Sequence, residues 1–198
     1  MPRSNRPSSA GCGTAVIPGG RAVSRQGFER LAAWRRDHPG VADLKLALNV
    51  SAREMQAPDM AERLGACLEQ TGVPPDRVVI EVTETAVMKT LGQVEAIQEL
   101  GVAFFIDDFG TGYSTYTYLR ELDIDGLKID MGFVSGLPDS PSDAAIVDSM
   151  VTLGRRLGLD VVAEGIESEQ QLEALRELGC ELGQGFHLGR PVPPGESE

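Results

Sequence analysis

Polar residues recur in this sequence at the ends of short apolar runs. Asn49 ends the run Leu44–Val50, and Glu81 lies late in Val78–Val82. Asp107 and Asp108 follow Val102–Ile106, and Lys128 lies late in Gly126–Ile129. Glu164 closes Val161–Ala163, and Gln184 stands in Gly183–Phe186. If the runs are parallel strands, these ends converge on one face, where active sites form. Carboxylates and amides crowded there need a cation, and oxygen donors suit Mg²⁺ or Mn²⁺. With only two histidines, His38 and His187, a metal centre has to be built mainly on oxygen. The adjacent pair Asp107-Asp108 can hold two ions about 4 Å apart, the arrangement that serves in-line displacement at a phosphodiester.

A single acidic residue after a strand is more often a helix cap, and Glu84, Asp130 and Glu167 are individually of that kind. Lys128 and Gln184 do not cap helix N-termini well, so the full pattern favours a site. The loop Phe109-Gly-Thr-Gly-Tyr113 is similar to a phosphate cradle, a weak signal by itself.

The elements that must position these residues alternate between two periods. Phe28, Leu31 and Ala32 mark a first helix ending near His38-Pro39-Gly40. Ser51 with Glu54 forms a capping box, Pro58 suits the first turn of the next helix, and that helix runs to Gly72. Leu91, Val94 and Ile97 mark a helix stopped by Gly101, and a short helix passes through Tyr118 and Leu119. Ser140-Pro141 opens a helix with Ile146, Val147, Met150 and Val151 on one side, and Ser168 with Gln171 caps the last one. Six strands separated by helices predict an α/β fold with a parallel sheet. Spacing of about 25 residues per unit fits a (β/α)₈ TIM-type barrel lacking two strands. A doubly wound open sheet is the alternative, weakened because no Gly-x-Gly-x-x-Gly follows the first strand.

The 198 residues suit a single domain. A formal charge of −12 argues against duplex nucleic acid, and no apolar run is long enough for a membrane segment. Cys12, Cys67 and Cys180 form no disulfide or zinc pattern, which implies a reducing, cytoplasmic setting. Residues 1–23 lack periodicity and read as a disordered lead-in. Residues 24–194 form the domain, and 195–198 are a tail.

In the segments Leu48–Ser51 (LNVS), Glu81–Thr85 (EVTET), Ile106–Ser114 (IDDFGTGYS), Leu127–Asp130 (LKID), Val161–Glu167 (VVAEGIE) and Gln184–Pro191 (QGFHLGRP), the chain resembles the EAL family of bacterial cyclic-di-GMP phosphodiesterases, over roughly Arg25 to Pro194. The resemblance implies a modified (β/α)₈ barrel that hydrolyses cyclic di-GMP to linear pGpG with Mg²⁺ or Mn²⁺. It makes Asn49, Glu81 and Asp107 ligands of one ion and assigns Asp108 to a second. Lys128 positions the attacking water or stabilises developing charge, Glu164 is ligand or general base, and Gln184 orients groups near the water. Glu84 anchors the Phe109–Ser114 loop, and substrate-binding residues stay unassigned. The implied partners are cyclic di-GMP and either a second copy, through the Phe109–Leu119 region, or an upstream signalling domain.

The family's Glu-Ala-Leu motif, whose glutamate is a metal ligand, should precede the first helix, and nothing between Met1 and Ser24 resembles it. Glu173-Ala174-Leu175 lies on an amphipathic helix and is a coincidence of composition. The chain therefore reads as an N-terminally truncated EAL domain. The alternative to hydrolysis is a noncatalytic module that binds cyclic di-GMP or a protein through the same face.

Overall fold

The structure, a computed structural model, describes residues 14–18, 21–38, 40, 43–112, 119 and 122–191. In chain order its elements are β1 (Thr14–Pro18), α1 (Arg21–Asp37), β2 (Lys45–Asn49), α2 (Ala52–Met55), α3 (Met60–Thr71), β3 (Val78–Thr83), α4 (Glu84–Val87), α5 (Leu91–Gln98), β4 (Ala103–Phe109), β5 (Gly126–Ile129), α6 (Met131–Val134), α7 (Pro141–Leu157), β6 (Asp160–Ala163), α8 (Glu169–Glu177) and β7 (Leu182–Gly183). They form two compact units, residues 1–81 with 92–103, and residues 82–91 with 104–198. Among the described residues, no helix is long and apolar enough to cross a membrane.

In the first unit β1, β2 and β3 pair in parallel, with Pro18 opposite Asn49 and Asn49 opposite Glu81. β2 and β3 are almost wholly buried, which is why they read as continuous apolar runs rather than alternating ones. Ser51 accepts from the Glu54 backbone N–H and Glu54 reaches back to Ser51, so the capping box that ends β2 and starts α2 is present. α3 closes on Gly72, whose φ of 67° is the left-handed conformation glycine enters without a Cβ penalty. Phe28, Leu31, Leu64 and Leu68 are among the helices' buried side chains.

In the second unit β4 pairs with β5, β5 with β6, and β6 with β7, all parallel. Ser140 accepts from the Asp143 N–H ahead of Pro141, and Ser168 forms a capping box with Gln171. Leu127 and Ile129 of β5 are fully buried, as are Val147 of α7 and Phe104 of β4. Gly154 brings α7 close to β6, because an added Cβ would lie 2.2 Å from Val161 Cγ2.

Four expectations change. Thr14–Pro18 is a strand and α1 begins at Arg21, inside the stretch read as a disordered lead-in; the β-branched Thr14, Val16 and Ile17 suit an extended backbone once β2 offers a partner. Pro58 lies in the turn before α3, whose N-cap is Asp59. β4 continues through both aspartates to Phe109 instead of stopping at Ile106. β7 stops at Gly183, because the chain after Gln184 turns over Ile166. Tyr113–Tyr118, including most of the short predicted helix, lie outside the described residues, while Leu119 is helical and buried.

Candidate metal centre and active site

The decisive local feature is an irregularity in β4. Phe105 and Ile106 face Gly126 and Leu127 in register, but Phe109 then faces Ile129, so Asp107 and Asp108 together stand opposite Lys128 alone. Successive strand residues normally point to opposite faces. A bulge of two residues against one re-aims a side chain, and Asp108 takes the positive φ of 52° that this requires. Aspartate tolerates that region better than most residues. Ligand oxygens of Asp107, Asp108 and Glu164 consequently lie within 4.8 Å of one another.

Lys128 sits among them, only 2% exposed. Its Nζ is 3.0 Å from Asp107 Oδ1 and 2.5 Å from Glu164 Oε1. A buried ammonium is costly without anionic partners, and here Asp107 and Glu164 are among them. Glu164 follows β6, with its N–H donating to Ile129 O, and Gln184 Nε2 donates to Glu164 Oε1 at 2.6 Å. Gln184 is placed by its own backbone: its N–H donates to Ala163 O, and its carbonyl accepts from the Ile166 N–H. The next residue must be glycine, since a Cβ on Gly185 would lie 2.2 Å from both the nitrogen and oxygen of Ile166.

The cluster carries three carboxylates against one ammonium. Asp108 is held above the ordinary aspartate range, first by burial, then by repulsion from Asp107 and Asp130, with Lys128 opposing. Its side chain also meets Asp130. Asp130 does cap α6, accepting from the Gly132 N–H at 2.9 Å, but the cap reading alone missed its link to Asp108. The available signal was its spacing of two from Lys128, which places both on one face of an extended chain.

Glu84, at the start of α4, is 4% exposed, and a Cβ on Gly112 would stand 3.0 Å from its Oε2. The glutamate lies against the segment that follows the bulge. Gly110, with φ 95°, packs against Met150 and Phe133. In the first unit Asn49, the last residue of β2, is the direct register partner of Glu81 in β3, and Val50 N–H donates to Glu81 O at 2.9 Å. Glu173 is exposed on α8 while Leu175 is buried, so the tripeptide Glu173-Ala174-Leu175 is an ordinary amphipathic helix turn.

Oxygen-only donors at this spacing fit a hard divalent cation. Residues 18–191 match the family described as EAL domain. The chain belongs to the EAL domain family. Among its relatives, the bifunctional diguanylate cyclase/cyclic di-GMP phosphodiesterase MucR of Pseudomonas aeruginosa is 43% identical over 158 residues, 78% of this chain and 23% of that protein. The solved PaMucR phosphodiesterase in complex with c-di-GMP is similar to this EAL chain with a TM-score of 0.82 and 40% identity, over 87% of this chain and 70% of that one. A manganese/c-di-GMP complex of BlrP1 from Klebsiella pneumoniae follows with a TM-score of 0.77 and 32% identity, over 86% of this chain and 44% of that one. The fold class is therefore the TIM-type barrel of EAL domains, here as parallel β/α units, and the open-sheet alternative is set aside. The chain spans about a quarter (23–26%) of the length of the first curated relatives it matches.

Proposed function

We propose that this EAL domain hydrolyses cyclic di-GMP to linear pGpG with Mg²⁺ or Mn²⁺. The observation that carries the reading is the β4 bulge, which turns Asp107 and Asp108 toward Glu164 beside a buried lysine. Asp107 and Asp108 are proposed to hold the metal beside Glu164, with Asn49 and Glu81 as further oxygen ligands by family resemblance. A bound divalent ion supplies positive charge to the phosphate oxygens and makes water more acidic.

The chain's own groups divide the remaining work. Glu164 accepts the proton of the attacking water. Lys128 and Gln184 both contact its Oε1, which fixes the carboxylate's orientation. The ammonium of Lys128 is also placed to offset charge as the water oxygen–phosphorus bond forms and a ribose oxygen–phosphorus bond breaks. Glu84 supports the segment after the bulge and so the position of Asp108.

Conversion of cyclic di-GMP to pGpG by the purified chain, followed against Mn²⁺ concentration, tests this. Glu81→Gln and Asp107→Asn should each abolish turnover, and turnover by both would end the reading. The alternative is a noncatalytic module that binds cyclic di-GMP through the same residues. Cyclic-di-GMP binding without cleavage would establish the binding module instead. Cys67 and Cys180 are free thiols, which supports a cytoplasmic setting. The name of MucR, with its cyclase activity, supports an upstream signalling domain as partner.

A further inference from the structure

The turn that carries Gln184 follows β7, a strand of only two residues, so little ladder pairing holds it. Three backbone bonds bind it to the end of β6 and the residues that follow: Gln184 N–H to Ala163 O at 2.8 Å, Ile166 N–H to Gln184 O at 3.1 Å and His187 N–H to Ile166 O at 3.0 Å. All three anchor to residues 163–166. A side chain of this turn also reaches a helix: His187 Nε2 donates to Glu169 Oε2, at 2.8 Å. Glu169 is the first residue of α8, where the helix dipole favours a carboxylate, and the Ser168–Gln171 capping box fixes that helix end. The turn is thus tied to a second element, α8, to which Gln184 makes no hydrogen bond among the described residues.

We propose that His187 is a positioning residue, which fastens the turn to α8 and thereby holds the Gln184 amide on Glu164. This rests on the phosphodiesterase reading only for its consequence in turnover. Through Glu164 the effect reaches Lys128, since both donors share Glu164 Oε1. Among the described residues His187 forms no hydrogen bond or ion pair with the carboxylate cluster, and 31% of its side chain is accessible. Its loss should therefore loosen the turn without unfolding the unit.

The test compares His187→Ala and His187→Gln with the unaltered chain, by hydrogen exchange at the amides of residues 185–189 and by Mn²⁺-dependent turnover. For His187→Ala we expect about threefold faster exchange and about threefold lower kcat with KM unchanged, the scale of one exposed charged contact. His187→Gln, which keeps a hydrogen-bonding group, should recover most of both. Unchanged exchange in His187→Ala overturns the proposal, and so does a fall in kcat without faster exchange. If the unaltered chain shows no turnover, the phosphodiesterase reading fails on its own. The exchange measurement on the same proteins still decides the tether.

Discussion

The strand ends of the two units solve the same placement problem differently. In the first, β2 and β3 pair in regular register to the end of β2, where Asn49 sits directly across from Glu81. With a period of two, the immediate neighbours of each of these side chains point to the other face. In the second, β4 breaks register, and two consecutive aspartates stand opposite one lysine. The difference shows what a bulge contributes: a second carboxylate from the same strand, at the cost of a positive φ and of crowding three anions. Regular pairing sets single polar side chains across from one another, whereas broken pairing concentrates charge.

If concentrated charge is the distinguishing property of the second unit, removing its cation should have the largest effect. Lys128→Met leaves Asp107 and Glu164 without their ammonium. Breaking a buried pair from one side costs about 3–5 kcal/mol. In EDTA the melting temperature should fall accordingly, and Mn²⁺ should restore part of the loss by taking the ammonium's place. A metal-free melting temperature equal to that of the unaltered chain would show that the cluster is not electrostatically loaded.

The backbone side of the comparison is tested by two glycines. Gly110→Ala must adopt φ 95° and push against Met150 and Phe133, and should cost about 2–4 kcal/mol from strain and overpacking together. Gly72→Ala in the first unit has open space around its Cβ and pays only left-handed strain, about 1–2 kcal/mol. Chemical denaturation of both variants checks the ranking. Equal losses would mean that the segment after the bulge yields as easily as a helix end.

Most of this architecture is legible in the sequence, for physical reasons that differ by element. β5 is read at its true bounds because Gly126 starts a buried run whose only polar member, Lys128, is itself buried. The α2, α7 and α8 starts are read because Ser51, Ser140 and Ser168 cap through side-chain chemistry that a local window contains. β1 is missed because Thr14–Pro18 shows no alternation and becomes a strand only through a partner about thirty residues away. The bulge is invisible for the same reason, since a register shift is a property of two strands. The site residues can be named from strand ends and resemblance. That Asp107 and Asp108 both reach Glu164, and that Asp130 bears on Asp108, needs the pairing of β4 with β5.

A smaller effect, of opposite sign, is expected at Asp108. Burial and its acidic neighbours raise its pKa above the ordinary aspartate range. A raised carboxylate pKa favours the protonated folded form, so this contribution to stability is present in acid and is lost as pH rises through the raised value. At neutral pH and without metal, the ionised Asp108 is therefore destabilising. Asp108→Asn, which keeps tolerance of a positive φ, should melt higher than the unaltered chain at pH 7 in EDTA. The difference should shrink toward pH 4. With Mn²⁺ added the order should reverse, because only the carboxylate is stabilised by the ion. An advantage of the variant that persisted unchanged in Mn²⁺ would remove Asp108 from the metal centre.

The smallest effect sharpens the comparison by marking where charge does not matter. Glu173 belongs to the Glu-Ala-Leu tripeptide that carries the family's name, yet it lies on the exposed face of α8. An exposed carboxylate of that kind changes stability by no more than about 0.5 kcal/mol when neutralised. Glu173→Gln should leave melting temperature, Mn²⁺ affinity and turnover as they are. The tripeptide's leucine should behave in the opposite way, because Leu175 is 1% exposed. Leu175→Ala should cost about 2–5 kcal/mol through the cavity it leaves, without altering metal affinity in the folded fraction. Loss of Mn²⁺ binding in Glu173→Gln would mean that α8, rather than the broken register of β4, supplies the acidic ligand. The charge gathered by the bulge would then have no functional part.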